Sequence, residues 1–266
     1  MKTHVSATVL VLVSVLLIFS GCAATKFKNE KARKDAEAHR RLGDAYSRQG
    51  NITRALRAYL DALAIYELDP ETHYSLGLAY QQKENYPKAI QHFNRAIELK
   101  PDMGPAKNSL GVIYIKIEDY DRAIEVLQKL IEDQGFDIYL TPHYPKYNLG
   151  LAYYHKGQYE TARGYFRQVS EYFASGIPKD RIYILNLRAY GLTYLDTGDP
   201  VEALKYFDKV VAVAPRWPDI YLDLARAHRM AGFREMARAN YRKVLELAPD
   251  SPIAATAAEE MALVSP

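Results

Sequence analysis

The chain has 266 residues, of which 35 are basic and 32 acidic, for a formal net charge of +3. So even a balance gives no clustered basic face for nucleic acid, and no nucleic-acid partner is expected. Apolar residues make up 48% of the chain, enough for one or two folded domains, and Cys22 is the only cysteine, so an intrachain disulfide is excluded. Tyrosine is over-used, with 22 Tyr against 8 Phe and one Trp. A ring with a wet hydroxyl suits both helix packing and contact surfaces.

The first segment reads as an address. Lys2 lies in a short start, Val5 to Phe19 is apolar apart from Ser6, Thr8 and Ser14, and Ser20-Gly21-Cys22 follows at once. A basic start, a short apolar run and small residues at its end mark a secretory signal, because a spanning helix needs about 20 apolar residues. Phe19-Ser20-Gly21-Cys22 resembles a bacterial lipobox, with Phe19 where Leu is usual. That resemblance implies a signal peptide over 1–21, cleavage before Cys22 and acylation of Cys22. Several acyl chains on one residue anchor a protein without a transmembrane helix. Ala23 stands where an Asp would imply inner-membrane retention, so the expected place in a diderm cell is the periplasmic face of the outer membrane. Residues 22–35 read as the acylated Cys and a basic tether.

Repeats occupy the rest of the chain. Leu42-Gly43, Leu76-Gly77, Leu110-Gly111, Leu149-Gly150, Tyr190-Gly191 and Leu224-Ala225 recur in register. Three residues after each small residue stands Tyr46, Tyr80, Tyr114, Tyr153, Tyr194 or His228. Further along come Ala55, Ala89, Ala123, Ala162, Ala203 and Ala237, each followed four residues later by Tyr59, Phe93, Leu127, Phe166, Phe207 or Tyr241. The small residues let paired helices approach, and the large ones fill the gap beside them. The intervening turns run from Gly50-Asn51 through Glu84-Asn85 and Glu118-Asp119 to Gly232, and Gly or Asn, where present, is expected to take the left-handed conformation that ends a helix.

This pattern resembles the tetratricopeptide repeat (TPR), whose period is about 34 residues. The implied fold is all-α: a right-handed solenoid of six TPR helical hairpins over 36–251, with a short C-terminal capping helix and tail over 252–266. The capping helix would cover the open side of the last repeat. Two spacings exceed the period, by five residues between Gly111 and Gly150 and by seven between Gly150 and Gly191. The extra segments fall at 138–142 and 177–183, and inserts of this kind sometimes mark a binding face.

No catalytic constellation is legible. His4, His39, His73, His92, His143, His155 and His228 lack metal-ligand spacing, there is no Walker loop or G-x-S-x-G elbow, and no second thiol. No metal, no cofactor and no enzyme activity are expected. Interest falls instead on the positions that the TPR resemblance turns inward. Tyr74, Leu78, Val112, Ile115, Tyr147, Leu151, Tyr154, Leu192 and Leu195 would form an apolar, aromatic stretch between polar ends that hold Arg40 and Arg226. Such a stretch either lies open as a protein-binding groove or is buried between adjacent helices. Tyr147 and Tyr154 are the leading contact candidates. The carboxylate clamp of chaperone-binding TPRs is missing, since Leu78 and Val112 occupy its Asn positions.

A lipobox followed by six TPRs resembles the type IV pilus biogenesis lipoproteins, the pilotins that help the outer-membrane secretin reach and assemble in its membrane. The resemblance implies a protein partner, a secretin subunit, and a membrane partner reached through the lipid anchor. Other envelope adaptors share the architecture, such as a cell-wall enzyme scaffold or an outer-membrane assembly factor. A periplasmic enzyme or ligand-binding protein is the rival from another class.

Overall fold

The structure, a computed structural model, describes residues 29–132, 142–176 and 178–264. The signal segment, Cys22 and the first part of the tether lie outside these residues, as do 138–141 of the first insert and Ile177 of the second. Among the described residues there are thirteen helices and no strand. The first is α1 (residues 29–48), followed by α2 (Ile52–Ile65), α3 (Pro70–Gln82), α4 (Tyr86–Leu99), α5 (Gly104–Lys116) and α6 (Tyr120–Glu132). The remainder are α7 (His143–His155), α8 (Tyr159–Ala174), α9 (Arg181–Asp196), α10 (Pro200–Val213), α11 (Pro218–Met230), α12 (Arg234–Leu247) and α13 (Pro252–Ala262). Residues 29–35, expected to be tether, are helical and open α1. Their run of Lys, Arg, Glu and Ala favours helix, and full burial begins at Ala36, where the repeat frame starts, so the helix extends ahead of the packed part of the chain.

Local chemistry fixes the helix ends. The side chains of Asn51, Asp69, Asn85, Asp199 and Ser251 accept from backbone N–H groups three residues on. Pro70, Pro200 and Pro252 occupy first-turn positions, where a missing N–H is harmless. The turns differ from expectation in one respect. Gly50, Gly157, Gly198 and Gly232 take positive φ, but in the second and third hairpins Glu84 and Glu118 do so, at φ 57° and 62°. Asn85 and Asp119 stay free to cap the following helix.

The chain divides into two compact units, 1–109 and 110–266, with the division inside α5. In the first unit, Tyr59 and Phe93 are buried against Gly43 and Gly77, where any Cβ would collide with the ring. In the second, a Cβ at Gly111 would stand 2.6 Å from Leu127 Cγ, at Gly150 2.6 Å from Phe166 Cε1, and at Gly191 2.5 Å from Phe207 Cε1. Sequence period thus becomes packing directly: each small residue leaves the volume its partner fills sixteen residues later. Burial of each such ring or Leu side chain stabilises by roughly 1.5–3 kcal/mol.

Within the second unit α7 lies beside α9 and α9 beside α11, so the first helices of successive hairpins form one layer. The second helices α8, α10 and α12 pack against them. α13 covers α12 and reaches α11, placing Ala257 and Val264 against Tyr241 and Val244. The second insert is absorbed partly into helix: α9 begins at Arg181, where the Asp180 carboxylate accepts from the N–H groups of Ile182 (2.8 Å) and Tyr183 (3.2 Å).

Candidate protein-binding face

The nine inward positions separate by burial. In the first unit, Leu78 is 39% exposed on α3, a large apolar side chain in water, while Tyr74 is half-buried with its ring 5.8 Å from Phe93. Burial raises the Tyr74 phenol above its ordinary value.

In the second unit, Val112 is half-buried and Ile115 packs on the cluster of Leu127, Leu130 and Leu149. Tyr147 departs from expectation. It is 8% exposed and sits in the core with Phe166, Val169 and Tyr190. Desolvation pushes its phenol up to about 12, against the opposing pull of Arg188 and Arg181. Leu195 is likewise core, 8% exposed beside Phe207 and Val210. Neither residue can serve as an open contact, because adjacent hairpins close over them. Leu151 and Leu192 are half-buried at the edges of these clusters. Tyr154 is half-buried with its hydroxyl directed outward, donating to Asp196 Oδ2 at 2.5 Å. Burial and then that carboxylate raise its phenol well above the usual range.

Charged positions that the sequence places at the ends of the groove are engaged within the chain. In the first unit Arg40 lies 3.5 Å from Asp44 and 3.6 Å from Asp69, and the Tyr59 hydroxyl donates to Asp44 at 2.9 Å. In the second, Arg226 Nε donates to both oxygens of Glu260, at 2.9 and 3.0 Å, and the Tyr241 hydroxyl joins them. Asp223, which the sequence reading passed over, is 1% exposed on α11 and receives Arg188 Nε at 2.5 Å. Arg188 also lies 5.1 Å from the Trp217 ring centroid. Tyr154–Asp196, Arg188–Asp223 and Arg226–Glu260 therefore tie α7 to α9, α9 to α11 and α11 to α13. These polar links hold the first-helix layer in register, and Leu151, Tyr154 and Leu192 remain its accessible apolar surface.

Paired antiparallel helices closed by a small-residue contact, repeated along the chain, define a tetratricopeptide-repeat protein. Family models for the tetratricopeptide repeat match residues 70–103, 144–216, and 109–174 with 188–252, and a TPR repeat model matches 43–84. The chain belongs to the tetratricopeptide-repeat proteins. No curated protein sequence matches it. Among solved structures it is similar to PilW, described as a widely conserved type IV pilus biogenesis factor. That likeness has a TM-score of 0.74 at 19% identity, over 83% of this chain and 97% of that one. It is similar also to pilF of Pseudomonas aeruginosa, with a TM-score of 0.68 at 19% identity over 87% of this chain and 99% of that one. A tetratricopeptide repeat protein from Parabacteroides merdae aligns with a TM-score of 0.63 at 17% identity, over 94% and 98% of the two chains. At these identities the likeness is one of fold.

Proposed function

We propose that the chain is a lipid-anchored protein-binding scaffold of the cell envelope that helps the outer-membrane secretin of a type IV pilus to localise and assemble, without catalysis. The observation that carries this reading is the end-to-end likeness to two pilus biogenesis proteins, almost the whole of each being matched by this chain. The lipobox-like Phe19-Ser20-Gly21-Cys22 supports the anchor. In this account acyl chains on Cys22 hold the protein at the periplasmic face of the outer membrane. The repeats hold a segment of a secretin subunit, as a helix or an extended strand laid along the first-helix face. Each unit offers apolar contact of its own: Leu78 in the first, and in the second Leu151, Tyr154 and Leu192, with the Tyr154 hydroxyl and Asp196 as polar neighbours.

The test uses a piliated cell from which the gene is deleted. Wild type restores secretin multimers in the outer-membrane fraction and incorporates labelled palmitate. Cys22→Ala takes up no palmitate and leaves the multimers reduced or in the wrong membrane. Normal multimers in the deletion strain contradict the reading, and equal labelling of both proteins contradicts the anchor alone.

A further inference from the structure

The second unit carries a cleft that shares no residue with the first-helix face. It lies between the end of α8, the start of α9 and the middle of α10, with a volume of about 620 Å³. That is within the ~300–1,000 Å³ usual for sites that bind a ligand. Its floor is aromatic and apolar, made by Phe173, Tyr183, Leu187, Tyr190 and Tyr206, and its rim carries Arg167, Lys179 and Lys209. Tyr190, itself core, lies 4.4 Å from the half-buried Tyr206 between ring centroids with the two rings tilted, and backs the Tyr206 ring.

Charge on the rim is one-sided. Arg167, Lys179 and Lys209 are exposed, Glu171 is the single carboxylate among the lining residues, and among the described residues none of the three cations forms an ion pair. Lys179 Nζ lies 4.7 Å from the Tyr183 ring centroid and Lys209 Nζ 5.1 Å from that of Tyr206. A ring face attracts one side of an ammonium and leaves its remaining N–H groups for an acceptor. The cations are therefore held at the mouth, over the floor, with donor capacity to spare. Lys179 and Tyr183 both come from the insert that lengthens this junction beyond the repeat period, so the cleft is a product of the departure from regular repetition.

We propose that this cleft is a second docking site, for an acidic segment of a partner protein that seats one aromatic or large aliphatic side chain on the tyrosine floor. Carboxylates flanking the anchor meet Arg167, Lys179 and Lys209, which complement them in sign and speed the encounter. The anchor displaces water from Tyr183 and Tyr206, which are half-buried where Phe173, Leu187 and Tyr190 beneath them are core, the kind of aromatic contact that dominates binding energy.

The test titrates the full chain with short labelled peptides, each carrying one Phe flanked by Asp and Glu, by Ser, or by Lys, and reads fluorescence anisotropy. The acidic series binds about tenfold or more tightly than the Ser series, a difference of about 1.4 kcal/mol, and the Lys series does not bind. The double variant Lys179→Glu with Lys209→Glu abolishes that preference, whereas Leu78→Glu leaves it intact. Both lysines are exposed, so the melting midpoint stays put; should it fall, Lys179→Gln with Lys209→Gln gives the same reading without charge reversal. Equal affinity for the acidic and Ser series, or a preference that survives the double variant, overturns the proposal. Loss of phosphatidylglycerol-vesicle binding in the double variant, with no peptide preference in wild type, assigns the rim to the membrane and overturns it also.

Discussion

Arg188 on α9 donates through Nε to the carboxylate of Asp223 on α11 at 2.5 Å, and Asp223 is all but sealed from solvent. Burial raises the Asp223 carboxyl above the ordinary carboxylate range, against the pull of Arg188 and Arg226. The bond thus joins two hairpins through a charge that could not stay buried without its partner. Arg188→Ala is expected to destabilise the second unit by ~3 kcal/mol, at the low end for breaking a buried pair because the arginine is itself partly exposed. Arg188→Met with Asp223→Leu should recover most of that loss. Thermal denaturation of the two variants checks this, and an Arg188→Ala midpoint equal to wild type contradicts it.

His73 and His92 form a second buried polar link, in the first unit. The Glu67 carbonyl can only accept, so His73 donates to it through Nε2 at 3.0 Å. Neutral His73 then accepts at Nδ1 from His92 Nδ1, 3.1 Å away. Desolvation, then the neighbouring His73 and Lys88, hold His92 down to about 4. Desolvation lowers His73 too, opposed by Glu67 and Asp69. Both folded values lie below the unfolded one, so the unfolded chain binds more protons in acid. Stability is full above about pH 6.5 and declines as pH falls toward 4. The loss is on the order of 2 kcal/mol, discounted because His92 is only partly buried. Denaturant midpoints across that range should fall for wild type and flatten for His92→Gln; parallel curves contradict the assignment.

The glycines separate repeat packing from mere helix content. Gly111→Leu and Ala89→Phe intrude on filled space and should each cost ~1–3 kcal/mol. Gly164 lies inside α8 with nothing within 4 Å of its would-be Cβ and without positive φ. Gly164→Ala should therefore stabilise by ~0.5–1 kcal/mol through helix propensity alone. Midpoints moving in opposite directions support the packing scheme, and a Gly111→Leu protein as stable as wild type refutes it.

Repeat register was legible because it is written in steric pairs. Gly111 and Leu127, or Gly191 and Phe207, carry complementary volumes at fixed spacing, and no tertiary detail is needed to recognise them. The site was less so. Tyr147, Leu151 and Tyr154 share a helix face, yet Tyr147 is core and Tyr154 reaches Asp196, because exposure depends on how far a neighbouring hairpin advances over that face. Asp223 was illegible for a related reason: a lone acid in an apolar pattern reads as a solvent-facing position unless its partner, 35 residues back, is known to approach. The start of α1 was missed since a charged run suits a tether and a helix equally. The cleft over Tyr190 and Tyr206 depends on an insert whose position was visible and whose shape was not.

On the proposed function the repeats hold a secretin segment on the first-helix face. The most direct test is the affinity of the purified, acylated full chain in detergent for the secretin subunit encoded in the same genome. Wild type should bind saturably. Leu78→Glu and Leu192→Glu should be compared with it one at a time, and at least one should weaken binding about tenfold or more while its melting midpoint stays within the error of wild type. A wild-type chain that binds no secretin subunit, or binding left unchanged by both folded variants, would contradict the account.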